Sequence, residues 1–541
     1  MGNKDLLFKV SHNKILLFIL PNLIYASKLL YYYNSNFADM LEVLFSEVIV
    51  LFLIFFVLTT LLYFFLKKAV KNVQKIFCIM CFICMFYFFK FTLIQFLLFI
   101  VFVLLLIIDF KWLIKFKLDN VIGIIIFIII FLFSYNFFIS ISNVLYMITN
   151  SKSYDNDITI KVDDDTETPN IYYIHCDGMM GIDAMKKYFY YNDTYLTDYF
   201  KDNNYYLNED ASMVVGHKTQ KALVAMFNPK YYDNFFKKYL LELEDSYINK
   251  SEKTSFVVDY YELEDKRLNN ELFVALNEKN YTTIGIGEFN PYTSFYTDYF
   301  YDYYYYGDGL RYIDTDNNEF RSLNNNSKLK LLSYIRYVHL KPLINGTIFY
   351  DLLGDINFLN YDTVDYKSFN SSEYNYTEDA MNNSNYWVSK AILKGLDETM
   401  NIDNQKFTFV DFRLNHVPFT FDYYGNVIDE FNEYSPSYYL GNYIYSTYLL
   451  VDMLKFIKNN DEDAVIIVQG DHGIHTVDDE DMLKYFSTDM EGVQEIRNSV
   501  ISAIYIPDKY KNGDEEYLDN PLNISRYIVN NYVGNNYEYL K

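Results

Sequence analysis

Aspartate and histidine residues follow three of the apolar runs that the sequence predicts as strands. These runs begin near Asn170, Phe407 and Ala464. The chain has only 7 His, and four of them lie at the ends of these runs. The three ends read His175-Cys-Asp177-Gly178, Asn415-His416-Val-Pro-Phe419 and Asp471-His472-Gly473-Ile-His475. Because the sites of open α/β sheets form beyond the carboxyl ends of the strands, we expect these side chains to share one site.

The pair Asp471-His472 is the strongest metal-ligand pattern in the chain. A carboxylate and an imidazole directly after a buried strand bring together two of the groups that bind Zn or Mn. An ordinary loop is the structural alternative for Asp471-His472-Gly473, and an ordinary turn is the alternative for Asp177-Gly178. The sequence favours metal binding at the first and leaves the second open.

Thr219 stands at the predicted start of a helix over Thr219 to Phe227. A threonine at this position is commonly a plain N-cap. The same position also faces unpaired N–H groups and the positive end of the helix dipole, which would stabilise a phosphate esterified to the hydroxyl. Both interpretations stay open.

Several other polar residues near these motifs are placed to contact an anion or a second metal ion, or to be solvated. His416 is a candidate ligand of an anion, with a satisfied polar residue as the alternative. The remaining residues of this kind are His217, Lys218, Asp411, Arg413 and His475, which could equally lie behind a ligand.

Short β-rich runs alternate with helical patterns from residue 170 onward, which predicts an α/β domain with a mostly parallel central sheet. The predicted helices include Thr219 to Phe227 and Tyr443 to Ile457. The predicted strands are Ile171 to His175, Thr282 to Ile286, Phe407 to Phe412, Ala464 to Gln469 and Ala503 to Ile506.

The first 150 residues differ sharply in composition from the rest. They carry a net charge of +6, whereas the remainder carries −30, which argues against a nucleic-acid partner for that remainder. Five apolar stretches predict an all-α transmembrane bundle of about five helices. They lie at about 15–31, 41–66, 75–89, 92–110 and 120–144.

Lysines predict the orientation of this bundle. They concentrate before the first stretch, between the second and third, and between the fourth and fifth, so the positive-inside rule places the N-terminus in the cytoplasm. Five spans then put the chain after residue 145 outside. We therefore predict a multi-pass cell-membrane protein with a transmembrane domain (1–145), a linker (146–169) and an extracytoplasmic catalytic domain (170–541).

Four motifs in this order carry a resemblance to the sulfatase/alkaline phosphatase superfamily. They are the Asp-Gly after the first strand, a Thr at the next helix start, Asn-His-Val-Pro-Phe, and a late Asp-His-Gly. With the preceding apolar stretches, the layout resembles the membrane-anchored branch of lipoteichoic acid synthase and phosphoethanolamine transferases. No Cys-X-Pro-X-Arg segment is present to supply a sulfatase formylglycine, and Asp177 stands where lipoteichoic acid synthases have Glu.

The resemblance implies an alkaline phosphatase-like fold and roles for individual residues. One divalent ion, Mn or Zn, would be held by Asp177, Thr219, Asp471 and His472, and Thr219 would be the covalent nucleophile. His416 would bind the phosphoryl oxygens or the leaving group. Substrate contacts would come from His416, Asn415, His217, Lys218 and His475, and a second metal ion is left open.

The function that follows is transfer of a phospholipid-derived head-group phosphate, of phosphoglycerol or phosphoethanolamine type, to an extracellular glycan or polymer. The expected partners are a membrane phospholipid donor and that acceptor. A sulfatase-like hydrolase of the same fold, acting as a phosphodiesterase or sulfatase, is the alternative. A non-catalytic binding relative is a third, and it would predict loss of a ligand position, whereas all four positions are occupied by ligating residue types.

Overall fold

A computed structural model shows two compact units, one formed mainly by residues 1–152 and one mainly by residues 153–541. The domain bounds drawn from the sequence stay a prediction. The structure describes residues 13–36, 45–86, 118–150, 160–216, 219–238, 266, 270–287, 303–305, 310–312, 384–417, 419, 421–428, 435–474, 477 and 479–541.

The first unit consists of long apolar helices. The described helices are α1 (Lys14–Asn36), α2 (Phe45–Ala69), α3 (Val73–Phe86) and α4 (Leu118–Asn150). Three of them contain segments long and apolar enough to cross a membrane: 14–34, 48–68 and 125–146. Helix α3 has 14 residues and covers most of the third predicted stretch. The fourth predicted stretch lies outside the described residues.

Helices α1 and α4 are joined by hydrogen bonds between small polar side chains. Asn136 donates to Ser27 at 3.0 Å, and Ser140 donates to Asn34 at 2.9 Å. Such bonds between otherwise apolar helices fix their relative rotation, since lipid offers these groups no partner.

The second unit is built on an eight-stranded sheet with the order β2-β8-β7-β1-β6-β3-β4-β5. The five strands from β7 to β4 are parallel, and the other pairs are antiparallel. The strands are β1 (Ile171–Cys176), β2 (Tyr206–Asn208), β3 (Thr282–Gly287), β4 (Tyr303–Tyr305), β5 (Leu310–Tyr312), β6 (Lys406–Phe412), β7 (Val465–Gly470) and β8 (Ser502–Tyr505). The predicted α/β class with a mostly parallel sheet is confirmed.

Helices cover the sheet and complete its core. Among the described residues, the α-helices of five residues or more are α5 (Ile182–Phe189), α6 (Thr194–Asp202), α7 (Thr219–Phe227), α8 (Glu271–Glu278), α9 (Ser384–Thr399), α10 (Pro436–Asn460), α11 (Asp479–Phe486), α12 (Met490–Asn498) and α13 (Ile524–Ile528). Strands β1, β3, β6 and β7 are buried along their whole length, as expected of parallel strands covered on both faces. Their side chains form one continuous apolar core with α10, in which Tyr443, Leu450 and Leu454 are fully buried.

Candidate metal centre and active site

The register of the central strands brings two of the predicted ligands side by side. Strand β1 pairs in parallel with β6 on one side and β7 on the other, and Cys176 lies opposite Gly470. Asp177 and Asp471 are the residues that follow Cys176 and Gly470, so they lie beside each other. Parallel pairing alone places both carboxylates at the same edge of the sheet.

Gly178 allows this close approach. Its φ of 76° lies in the left-handed region, and a Cβ there would meet the carbonyl oxygen of Asn415 at 2.8 Å. Its N–H donates to Oδ1 of Asp471 at 3.2 Å. The Asp-Gly motif is thus a structural requirement of the ligand loop, since any other residue would push the two loops apart.

Asp177, Asp471 and His472 form a buried group whose ligand atoms all lie within 4.8 Å of one another. The side chains are 2%, 0% and 1% exposed. Nε2 of His472 lies 3.4 Å from Oδ1 of Asp177 and 3.4 Å from Oδ2 of Asp471. Ligand atoms bound tetrahedrally at roughly 2.0–2.2 Å are separated by about 3.3–3.6 Å, so these distances fit one shared ion.

Thr219 completes the set. It is the first residue of α7, it is half-buried, and its Oγ1 lies 3.1 Å from Nε2 of His472. The four residues that the resemblance implied as ligands therefore meet at one point in the structure.

The ring of His472 is oriented for ligation. Its Nδ1 lies 2.7 Å from the carbonyl oxygen of Gly473, so Nδ1 carries the proton and donates it. In the neutral ring this leaves the Nε2 lone pair directed at the carboxylates and at Thr219. Ligating histidines generally hold their second nitrogen in such a hydrogen bond.

Charge in the cluster also favours a cation. Oδ1 of Asp177 and Oδ2 of Asp471 are buried and accept no hydrogen bond. Burial raises the pKa of Asp177, but the nearby His416, Arg413 and His472 outweigh it and hold that pKa below its usual range. Burial likewise opposes ionisation of Asp471, and His472 and His175 bring its pKa well below normal. Two ionised carboxylates with bare oxygens in one buried space fit a divalent ion, and the mixed oxygen and imidazole donors fit Mn or Zn.

The guanidinium group of Arg413 places a positive charge beside Asp177. Its Nε donates to Oδ2 of Asp177 at 3.2 Å, which fixes the carboxylate with Oδ1 turned towards His472. From the sequence, Arg413 is placed to contact an anion or a second metal ion, or to be solvated, and its bond to Asp177 is not predicted.

His175 and Asp411 lie directly behind the ligands. Nδ1 of His175 is 3.0 Å from Oδ1 of Asp411, and its Nε2 is 3.6 Å from Oδ2 of Asp471. Burial lowers the pKa of His175, but Asp471 and Asp411 outweigh it and raise that pKa to about 10. The two-residue period of a strand puts His175 and Asp177 on the same face of the chain, so the sequence contained the signal for this neighbour.

His416 and Asn415 follow β6 at the same edge. The ring of His416 is half-buried, with its centroid 6.4 Å from that of His472, and its Nδ1 lies 2.8 Å from the carbonyl oxygen of Val417. The side chain of Asn415 is 3% exposed and donates to Ser446 at 3.0 Å. His217, Lys218 and His475 lie outside the described residues. The substrate contacts assigned to all five residues stay predictions.

Three solved structures are among those similar to this chain. One is the C-terminal periplasmic domain of EcEptC from Escherichia coli, which is 12% identical over 71% of this chain and 87% of that chain, with a TM-score of 0.37. A structure of the same domain in complex with Zn is also similar to this chain. The lipoteichoic acid synthase LtaP from Listeria monocytogenes is 12% identical over 70% of this chain and 77% of that chain, with a TM-score of 0.35. The lipooligosaccharide phosphoethanolamine transferase A (EptA) from Neisseria meningitidis is 11% identical over 91% of this chain and 89% of that chain, with a TM-score of 0.33.

These structures are of the kinds that the sequence motifs resemble. No protein-family model matches the sequence, and no curated protein matches it either.

Proposed function

We propose that this chain is a membrane-anchored, metal-dependent phosphotransferase that moves a head-group phosphate from a phospholipid to an extracellular acceptor through Thr219. The observation that carries the proposal is the contact of Thr219 Oγ1 with Nε2 of His472 at 3.1 Å, inside the buried group of Asp177, Asp471 and His472. A threonine hydroxyl is a weak nucleophile unless a base or a metal activates it. Here the hydroxyl of Thr219 is half-buried and lies beside the buried imidazole of His472.

Asp177, Asp471, His472 and Thr219 would hold the ion. When bound, a divalent ion would lower the pKa of the Thr219 hydroxyl and partly neutralise the negative charge on the phosphoryl oxygens.

The chain's own residues account for the remaining steps. The oxygen of Thr219 attacks the phosphorus of the donor and the phosphorus–oxygen bond to diacylglycerol breaks. The proton lost by the Thr219 hydroxyl is balanced by the proton gained by the leaving oxygen, so diacylglycerol departs as the free alcohol. The N–H groups at the start of α7 face the phosphate now esterified to Thr219, and His416 binds its oxygens. An acceptor hydroxyl then attacks the same phosphorus, which restores the Thr219 hydroxyl.

The donor and acceptor classes rest on the membrane half of the chain. Three apolar helices long enough to span a bilayer hold the chain where phospholipids are, and the lysine distribution predicts the second unit outside. The head group, of phosphoglycerol or phosphoethanolamine type, and the glycan or polymer acceptor are part of the proposal.

Product analysis tests this function. Full-length protein in detergent with Mn and a phospholipid labelled in both head group and glycerol should release diacylglycerol and move the head-group phosphate to an added glycan. Release of free head-group phosphate at the same rate with and without the glycan would instead favour the hydrolase. No turnover of any phospholipid by metal-loaded protein would reject both.

A further inference from the structure

Helix α10 carries three polar side chains on the face that it packs against the site. Tyr439, Asn442 and Ser446 are each 0% exposed, and their spacing of three and four residues puts them on one side of the helix. The surrounding positions of this face, such as Tyr443 and Leu450, belong to the apolar core. Buried polar groups are costly unless each is bonded, so their partners indicate what they are for.

Tyr439 holds the loop that carries the ligand Asp177. Its hydroxyl donates to the carbonyl oxygen of Gly178 at 2.8 Å and accepts from the N–H of Met180 at 2.9 Å. The N–H of Gly178 in turn donates to Asp471. Gly178 is thus fixed at its carbonyl oxygen by Tyr439 of α10 and at its N–H by Asp471.

Asn442 and Ser446 hold the described residues of a different loop, 414–417, 419 and 421, which include His416. Asn442 donates to the carbonyl oxygen of Leu414 and accepts from the N–H of Phe421, both at 2.6 Å, so it joins the two ends of the loop. The hydroxyl of Ser446 accepts a hydrogen bond from Nδ2 of Asn415 at 3.0 Å and donates its own proton to the carbonyl oxygen of Tyr443 at 2.7 Å. The loop therefore depends on α10 for its shape.

We propose that α10 positions the active site through two separable contacts: Tyr439 sets the metal ligands, and Asn442 with Ser446 sets His416 against the phosphoryl group. The second half of this assignment rests on the proposed function, because it needs a phosphoryl ligand. Residues that orient ligands from behind typically change metal affinity or activity by roughly 10- to 100-fold when they are lost.

Matched tyrosine variants test the first contact. Tyr439→Phe removes the hydroxyl that bonds Gly178 and Met180. Tyr443→Phe makes the same change one turn later, at a residue that is also 0% exposed and whose hydroxyl makes no hydrogen bond. With Mn alone as the probe and full-length protein in detergent, calorimetric titration should show Mn binding about tenfold weaker in Tyr439→Phe and unchanged in Tyr443→Phe. Equal Mn affinities in the two variants would overturn the role of Tyr439.

Asn442→Leu and the milder Ser446→Ala test the second contact. Both should leave the Mn affinity within about twofold and weaken inorganic phosphate binding to the Mn-loaded protein, by about tenfold for Asn442→Leu. In turnover, kcat should fall in the same order. Thermal melting establishes that each variant is folded. If Asn442→Leu does not fold, the phosphate affinity of Ser446→Ala is the test of the second contact. Wild-type phosphate affinity in the folded variants, or loss of Mn and phosphate binding together, would overturn the separation.

The phosphate titration also distinguishes this inference from the proposed function. Wild-type protein that binds Mn and phosphate but turns over no phospholipid would refute the function and leave the positioning roles to be decided by the two affinities.

Discussion

Replacing Asp177 with Asn should abolish stabilisation by metal without weakening the metal-free protein appreciably. The ligand atoms of Asp177 and Asp471 lie no more than 4.8 Å apart. At that distance two negative charges repel by about 3.5 kcal/mol with an effective dielectric constant of about 20. Asn relieves this repulsion but weakens the charge-assisted bond from Arg413, worth roughly 1.5–3 kcal/mol. The two changes nearly cancel in the metal-free form.

The metal-bound form behaves differently. A ligand at a hundred times its Kd stabilises the folded state by about 2.7 kcal/mol. For a unit of roughly 390 residues this raises the thermal midpoint by about 3 °C. Wild type should show this increase when Mn is added to chelator-treated protein, and Asp177→Asn should not.

The control is Asp452→Asn, which removes an exposed carboxylate of α10 and should keep the full increase. An equal Mn-dependent increase in Asp177→Asn and wild type would refute the assignment of Asp177 as a ligand. A large loss of stability in the metal-free variant would refute the charge argument.

Two further predictions concern stability and topology. Burial raises the pKa of Asp193, the N-cap of α6, to about 6, so wild-type stability should fall as pH rises from about 4 to about 6. Asp193→Asn keeps the capping oxygen. At pH 7 this variant should melt at a higher temperature than wild type, because its free energy of unfolding is greater by up to roughly 3 kcal/mol. The difference should vanish below about pH 4. A cysteine placed at Ser153 should react with a membrane-impermeant thiol reagent in intact cells, whereas one placed at Lys71 should not. Protection of the Ser153 position would contradict the orientation and the phospholipid donor together.

Four of the predicted strands, β1, β3, β6 and β7, were predictable because parallel, doubly covered strands are continuous apolar runs; the fifth, β8, is antiparallel. All five predicted strands appear within a residue of their expected bounds, and α7 begins at Thr219 as expected. Strands β2, β4 and β5 were not predicted, since each has only three residues, which is too short for a periodic signal. Helix α10 was predicted as Tyr443 to Ile457 and in fact starts at Pro436, because the tyrosines of its first turns gave no clear apolar face.

The site was predictable in its ligands and less so in what supports them. Asp177, Asp471 and His472 end apolar strands, and their positions followed from the rule that sites form at the carboxyl ends of strands. The partners Tyr439, Asn442 and Ser446 lie on a helix far along the chain, and no local pattern marks a tyrosine or asparagine that bonds a distant backbone. Their roles depend on contacts across about 20 to 260 residues of sequence, which only the folded chain displays.

A covalent head-group phosphate on Thr219 is the most direct test of the proposed mechanism. Full-length, Mn-loaded protein would be mixed with the phospholipid donor without acceptor, quenched in acid, digested and analysed by mass spectrometry. The peptide containing Thr219 should gain the mass of the head-group phosphate and lose it again when the acceptor glycan is added before quenching, and Thr219→Ala should give neither adduct nor turnover. Wild-type turnover by Thr219→Ala, or an unmodified Thr219 in protein that is releasing diacylglycerol, would contradict the account.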